Sequence, residues 1–173
     1  MSVLSDRVRR VLGIDLPELS GSLLAGEIPL RNGLVNRLIA QRLAVTQSPV
    51  EGVRIEAHDG DRLTIVLSMR GSIMPDVRIA ARIEQQPQFP GPAVIGLRWT
   101  VPGMGPLSLF AGPALAYFKK LPSGISVDGD RIEIALPELL RSRNLGELMD
   151  YITRVNITTR EGALLVEFAL RVP

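Results

Sequence analysis

One phrase occurs twice in this chain. Asp59-Gly60-Asp61-Arg62-Leu63-Thr64-Ile65 and Asp128-Gly129-Asp130-Arg131-Ile132-Glu133-Ile134 each sit inside a run of alternating apolar and polar residues. An Asp-Gly pair between two such runs predicts a β-hairpin, because glycine takes positive φ at no steric cost and alternation sends every second side chain to one face. Before the first turn, Val53, Ile55 and Ala57 share one face while Arg54, Glu56 and His58 share the other. After it, Leu63, Ile65, Leu67 and Met69 return along the inward face. Val77, Ile79, Ala81 and Ile83 repeat the pattern, as do Ile95, Leu97, Trp99 and Val101, so four antiparallel strands are expected in a meander.

The second phrase gives a shorter copy of the hairpin, entered through Ile125 and Val127 and left through Ile132, Ile134 and Leu136. Glu161-Gly162 turns a third, with Leu164, Val166, Phe168, Leu170 and Val172 on its return strand. Helical spacing replaces alternation at Leu34, Val35, Leu38, Ile39 and Leu43, behind Asn32 as the N-cap, with Arg37, Gln41 and Arg42 on the wet side. Ser22 to Leu30 reads as a loop or short strand, and residues 137–150 as a helical turn or two around Asn144. At the N-terminus, Val3, Leu4, Val8, Val11 and Leu12 predict a short amphipathic helix in which Arg7, Arg9 and Arg10 interrupt the apolar residues.

Between the first two hairpin units lies Val101 to Pro122, apolar, punctuated by glycine and proline, and uncharged before Lys119. Pro102, Pro106 and Pro113 would break a spanning helix repeatedly. A helix over 106–120, opening on Pro106, would turn Leu107, Phe110, Ala111, Ala114, Leu115 and Phe118 one way, and Leu109, Ala116 and Tyr117 keep its other side apolar. Such a helix packs as core, lines an apolar ligand site, or forms an interface.

Composition narrows the functions. The 173 residues fit one domain, 1–173, with 1–27 as a peripheral N-terminal arm of helix and linker. Without cysteine and with a single histidine, disulfide scaffolds, thiolate metal sites, cysteine nucleophiles and histidine-rich metal sites are excluded. A formal net charge of +2, with no aromatics interleaved among the arginines, argues against nucleic acid. Asp59 with Asp61, and Asp128 with Asp130, lack the further oxygens that calcium requires, and read as turn residues. His58 has no serine or cysteine motif beside it, Gly103-Met104-Gly105 lacks the third glycine of a dinucleotide fingerprint, and the reading is therefore non-catalytic and without cofactor. The N-terminus lacks the continuous apolar stretch of a secretory signal, so the expectation is a cytoplasmic chain, with peripheral contact to a membrane as a further expectation.

In element order and hairpin texture, the chain resembles small bacterial lipid-binding proteins of the LmeA-like type and, more distantly, tubular lipid-binding (TULIP) domains. The resemblance rests on the helix Asn32 to Leu43 ahead of the meander, the apolar insert, and the closing hairpins ISVDGDRIEIAL and VNITTREGALLVEFAL, over roughly residues 28–172. It implies a curved sheet wrapped around a long helix, an apolar groove for acyl chains, and no chemistry.

The expectation is thus an α+β fold in which a highly curved antiparallel sheet of about seven or eight strands wraps around one or two helices. Its function would be to bind a lipid or other hydrophobic small molecule. Trp99, Leu107, Phe110, Leu115, Tyr117 and Phe118 would line the site, and Arg37 and Arg42 would meet a head group through guanidinium forks that suit phosphate oxygens. The alternative is an assembly module that uses the 101–122 segment as an oligomer or partner interface.

Overall fold

The computed structural model describes residues 20–43, 50–69, 76–101 and 123–172. Within them the chain runs β1 (Leu23–Arg31), α1 (Asn32–Leu43), β2 (Val50–His58), β3 (Arg62–Met69), β4 (Val77–Gln85) and β5 (Val94–Thr100). It continues through β6 (Ile125–Asp128), β7 (Arg131–Ala135), α2 (Leu136–Arg141), a 3-10 turn (Gly146–Asp150), β8 (Ile152–Arg160) and β9 (Ala163–Arg171). The α+β class and the antiparallel pairing agree with the alternation in the sequence. The expected single sheet of seven or eight strands does not: the nine described strands form two sheets, β2-β3-β4-β5-β7-β6 and β1-β9-β8. Residues 23–27, read as linker, belong to β1, which pairs along its whole length with β9. The N-terminal helix and the 106–120 helix lie outside the described residues.

All three predicted hairpins form, with positive φ at Gly60, Gly129 and Gly162. The two copies of the repeated phrase nevertheless turn differently. In the first, His58 faces Arg62 and three residues make the loop, with Asp61 as well as Gly60 at positive φ. In the second, Asp128 faces Arg131 and only Gly129 and Asp130 lie between them. Tertiary bonds account for the difference. The Asp61 carbonyl accepts the Ile83 N–H at 2.8 Å, and its Oδ1 accepts the Thr159 N–H at 3.2 Å, which holds an aspartate in a conformation that short polar side chains tolerate.

Directly paired residues of an antiparallel sheet point to the same face, so the register assigns the faces. In the six-stranded sheet one face carries Ala57, Leu63, Ala81 and Trp99 in one cross-strand row, with Ile83, Leu97 and Ile132 in the next. All but Ile132, which packs against it, belong to a single core cluster in which Trp99 is 6% exposed. Ile157 of β8 and Leu164 of β9 pack against the same cluster, so the smaller sheet meets the larger one through its apolar face.

The junction is polar as well as apolar. Asp59 Oδ1 accepts the Glu161 N–H at 3.1 Å, the Ala57 carbonyl accepts the Gly162 N–H at 2.9 Å, and the Thr159 hydroxyl donates to the His58 carbonyl. Thr159 is the one buried polar side chain among the described residues. Gln86 acts as a strand substitute: its amide donates to the Ile157 carbonyl at 2.6 Å and accepts the Ile157 N–H at 2.9 Å. Asn36 of α1 repeats the device on Ile55, at 3.0 and 2.7 Å. Asn32, read as an N-cap, instead accepts the Ala57 N–H at 3.2 Å and ties the start of α1 to β2.

Replacing Gln86 by leucine keeps the bulk and removes both bonds to a partly buried backbone unit. The expected loss is about 1–3 kcal/mol of unfolding free energy in urea, with faster exchange of the Ile157 amide proton. An unchanged midpoint would show that the side chain does not hold the sheets together.

Candidate functional site

The three-stranded sheet is two-faced in composition. Its register brings together Leu24 with Leu170 and Ile152, Gly26 with Phe168 and Val155, Ile28 with Val166 and Ile157, and Leu30 with Leu164 and Thr159. Every residue of this face is apolar except Thr159, which is spent on the junction. The opposite face carries Glu27, Glu167 and Asn156 in one row and Arg31 and Arg160 in another, with Pro29, the buried Leu165 and Thr158 in the row between. An ordinary two-sided sheet buries its apolar face. Here Ile157 and Leu164 reach the core cluster at one end, whereas along β1 Leu24 is 41% and Ile28 47% exposed.

From the Leu30–Leu164 row to the Leu24–Leu170 row, the apolar track spans seven residues of β1, about 20 Å at strand rise. Phe168 lies across the middle of it. Its ring edge comes so close to Gly26 that a Cβ there would sit 3.2 Å from Cζ, so the glycine makes room for the ring. The ring, with Val155 and Val166 beside it, gives the track its widest apolar surface without any polar group to satisfy.

Helix α1 follows β1 directly and adds to the apolar surface. The sequence pattern placed Leu34, Val35, Leu38 and Ile39 on its buried side. In the structure Val35, Asn36 and Ile39 are half-buried, while Leu34 is 45% and Leu38 54% exposed. The two Asn36 bonds to Ile55 fix which side of the helix meets β2, and that rotation leaves both leucines outward.

The residues expected from sequence to line a ligand site divide in two. Trp99 lies in the core of the larger sheet, directly opposite Ala81. Leu107, Phe110, Leu115, Tyr117 and Phe118 lie outside the described residues. Arg37 is exposed on α1, and the backbone of Arg42 continues that helix. Sequence reasoning did not single out Leu24, Ile28, Leu34, Leu38 or Phe168, although the alternation in β9 had already put Phe168 on the apolar side. The missing signal was the pairing of β1 with β9, which turns a short run of leucines into the edge of an apolar face.

On the other sheet, His58 Nε2 lies 3.0 Å from the Thr64 hydroxyl and its Nδ1 3.4 Å from Glu161 Oε2. Among the described residues no group of three or more His, Asp and Glu side chains could hold a metal ion. No described helix is long and apolar enough to cross a membrane. Compared with known proteins, the chain is matched by no family model, by no curated protein and by no solved structure.

Proposed function

We propose that this protein binds a hydrophobic ligand, a lipid or acyl chain, without catalysis, along the apolar face of the β1-β9-β8 sheet. The observation that carries the reading is the solvent exposure of Leu24 and Ile28 on a face that contains no unspent polar group. Each methylene withdrawn from water onto such a surface contributes about 0.8 kcal/mol, so a long chain binds with few polar contacts. The track has the length of an extended acyl chain and joins the core at its Ile157–Leu164 end, which supplies a dry floor. The resemblance to tubular lipid-binding domains points the same way. Its finer architecture, a strongly curved sheet wrapped about a helix, together with lining by Trp99 and the 106–120 segment and action at a membrane surface, forms part of the proposal.

Organic extraction or native mass spectrometry of the purified protein is expected to recover a lipid in stoichiometric amount. Ligand-free protein that also fails to take up added fatty acid would overturn the reading. If the exposed leucines serve a partner interface instead, sedimentation will show a stable oligomer that survives removal of lipid.

Leu24 and Ile28 are exposed enough for substitution without loss of the fold. Changing both to serine is expected to shift stability by less than about 1 kcal/mol, because neither fills the core. Lipid uptake should fall severalfold in the same variant. Gly26→Leu puts a side chain where the Phe168 ring lies, and should block uptake by filling the track. Undiminished uptake in both variants would contradict the assignment of the site.

A further inference from the structure

The outer face of the larger sheet breaks a packing rule. Register places His58 opposite Arg62, Arg62 opposite Arg82, Arg82 opposite Arg98 and Arg98 opposite Arg131, so one row crosses five strands with a basic side chain on every strand. Like charges directly opposite one another destabilise a sheet, and neighbouring strands are only about 4.8 Å apart. Some of the row is compensated within the fold. His58 Nδ1 lies 3.4 Å from Glu161 Oε2, Arg98 Nε lies 3.3 Å from Glu84 Oε2 and 3.5 Å from Asp130 Oδ2, and Arg62 Nε donates to the Asp59 carbonyl at 2.9 Å. Arg82, at the centre with an arginine on either side, has no carboxylate within ion-pair distance among the described residues, and neither has Arg131.

Beside this central arginine the surface dips. In the adjacent row Thr64 faces Ala80 and Ala80 faces Thr100, so the small alanine forms a floor between two hydroxyl-bearing side chains. The depression has a volume of about 480 Å³, and Arg62, Arg82 and Arg98 line it together with the carboxylates Glu84 and Glu161. Glu161 lies beside His58, whose Nε2 is 3.0 Å from the Thr64 hydroxyl, and Glu84 lies beside Arg98, so the uncompensated fork of the lining is that of Arg82. A guanidinium fork without a carboxylate of its own, the Thr100 hydroxyl across from it and a floor too small to obstruct are the components of an oxyanion cup. A row of like charges that the fold only half neutralises is a local conflict of the kind that sequences retain at functional sites.

We infer that the depression over Ala80, walled by Arg62, Arg82, Arg98, Thr64 and Thr100, is a binding site for a ligand carrying one or more phosphate groups. It lies on the face of the six-stranded sheet opposite the core, and stands whether or not the apolar track binds lipid. Arg82 supplies the uncompensated fork at the centre, and the flanking arginines are within reach of a second phosphate. The phosphate belongs either to a soluble compound or to a lipid head group, and the two sources separate by experiment.

Calorimetric titration with inorganic pyrophosphate would be run beside cosedimentation with phosphatidylcholine vesicles with and without phosphatidic acid. The proteins compared are the wild type, Arg82→Gln, Arg82→Lys, Ala80→Leu and, as an equal change of charge on the other sheet, Arg171→Gln. Loss of the central fork is expected to weaken binding about tenfold or more. Arg82→Lys should fall between, because it keeps the charge and loses the fork, and Arg171→Gln should match wild type. Pyrophosphate binding with this pattern supports a soluble phosphate ligand, and binding confined to the phosphatidic acid vesicles with the same pattern supports a head group. Absence of binding to both probes overturns the inference, as does an equal loss in Arg82→Gln and Arg171→Gln, which would be a net-charge effect. If Ala80→Leu fails to fold, the comparison of Arg82→Gln with Arg171→Gln still decides.

Discussion

The fold depends on the meeting of two turns. The β2–β3 loop, Asp59-Gly60-Asp61, uses both of its carboxylates on backbone N–H groups of the β8–β9 hairpin, and Thr159 answers with its hydroxyl on the His58 carbonyl. Beside these bonds the two sheets share the Gln86–Ile157 amide pair, the Gly162 N–H bond to the Ala57 carbonyl and the apolar contact of Ile157 and Leu164 with the core. Apolar contact is not directional, whereas a set of backbone bonds through Gln86, Asp59 and Asp61 fixes one relative placement. Side-chain amides and carboxylates bonded to the backbone of the other sheet specify geometry as much as they add stability.

That placement decides what each face can do. The larger sheet buries its apolar face in a core of small and branched side chains around Trp99, and its other face carries the charged side chains together with the fully buried Val66. The smaller sheet meets the core at Ile157 and Leu164, and Val172 beyond Leu170 is buried as well, so the exposed part of its apolar face is the β1 edge at Leu24 and Ile28. An apolar track with one edge open to solvent suits a ligand that is itself apolar, and the absence of any unpaired polar side chain along it means that no hydrogen bond must be replaced on binding. Helix α1 is tied to β2 by Asn32 and Asn36, and so holds Leu34 and Leu38 outward rather than closing them into the core.

Much of this was legible in the sequence, and what was not has physical reasons. Alternation in β2, β4, β5 and the β6–β7 hairpin assigned the apolar face, since a strand's side-chain period is two whatever it pairs with, but in β3 and β9 the most buried residues, Val66 and Leu165, lie on the other face. The Asp-Gly and Glu-Gly turns were equally plain. Alternation does not say which strands become neighbours, so the pairing of β1 with β9, from opposite ends of the chain, and the division into two sheets were invisible. Asn36 and Gln86 carried no signal in the sequence, because their partners are backbone groups far away along the chain. The repeated phrase looked like one turn used twice, but bonds from Asp61 to Ile83 and Thr159 draw the first copy into a longer loop. The cross-strand row of arginines likewise exists only once register is known, because the long β4–β5 connection leaves the alignment of Arg82 with Arg98 open.

Photolabelling with a fatty acid that carries a diazirine along its chain, followed by peptide mapping, asks whether the β1-β9-β8 face holds a ligand. Adducts are expected on the peptides of β1, β8 and β9, concentrated near Leu24, Ile28, Val155 and Phe168, and displaced by excess unlabelled fatty acid. Labelling that avoids these strands, or that excess fatty acid does not displace, would rule the face out as the site.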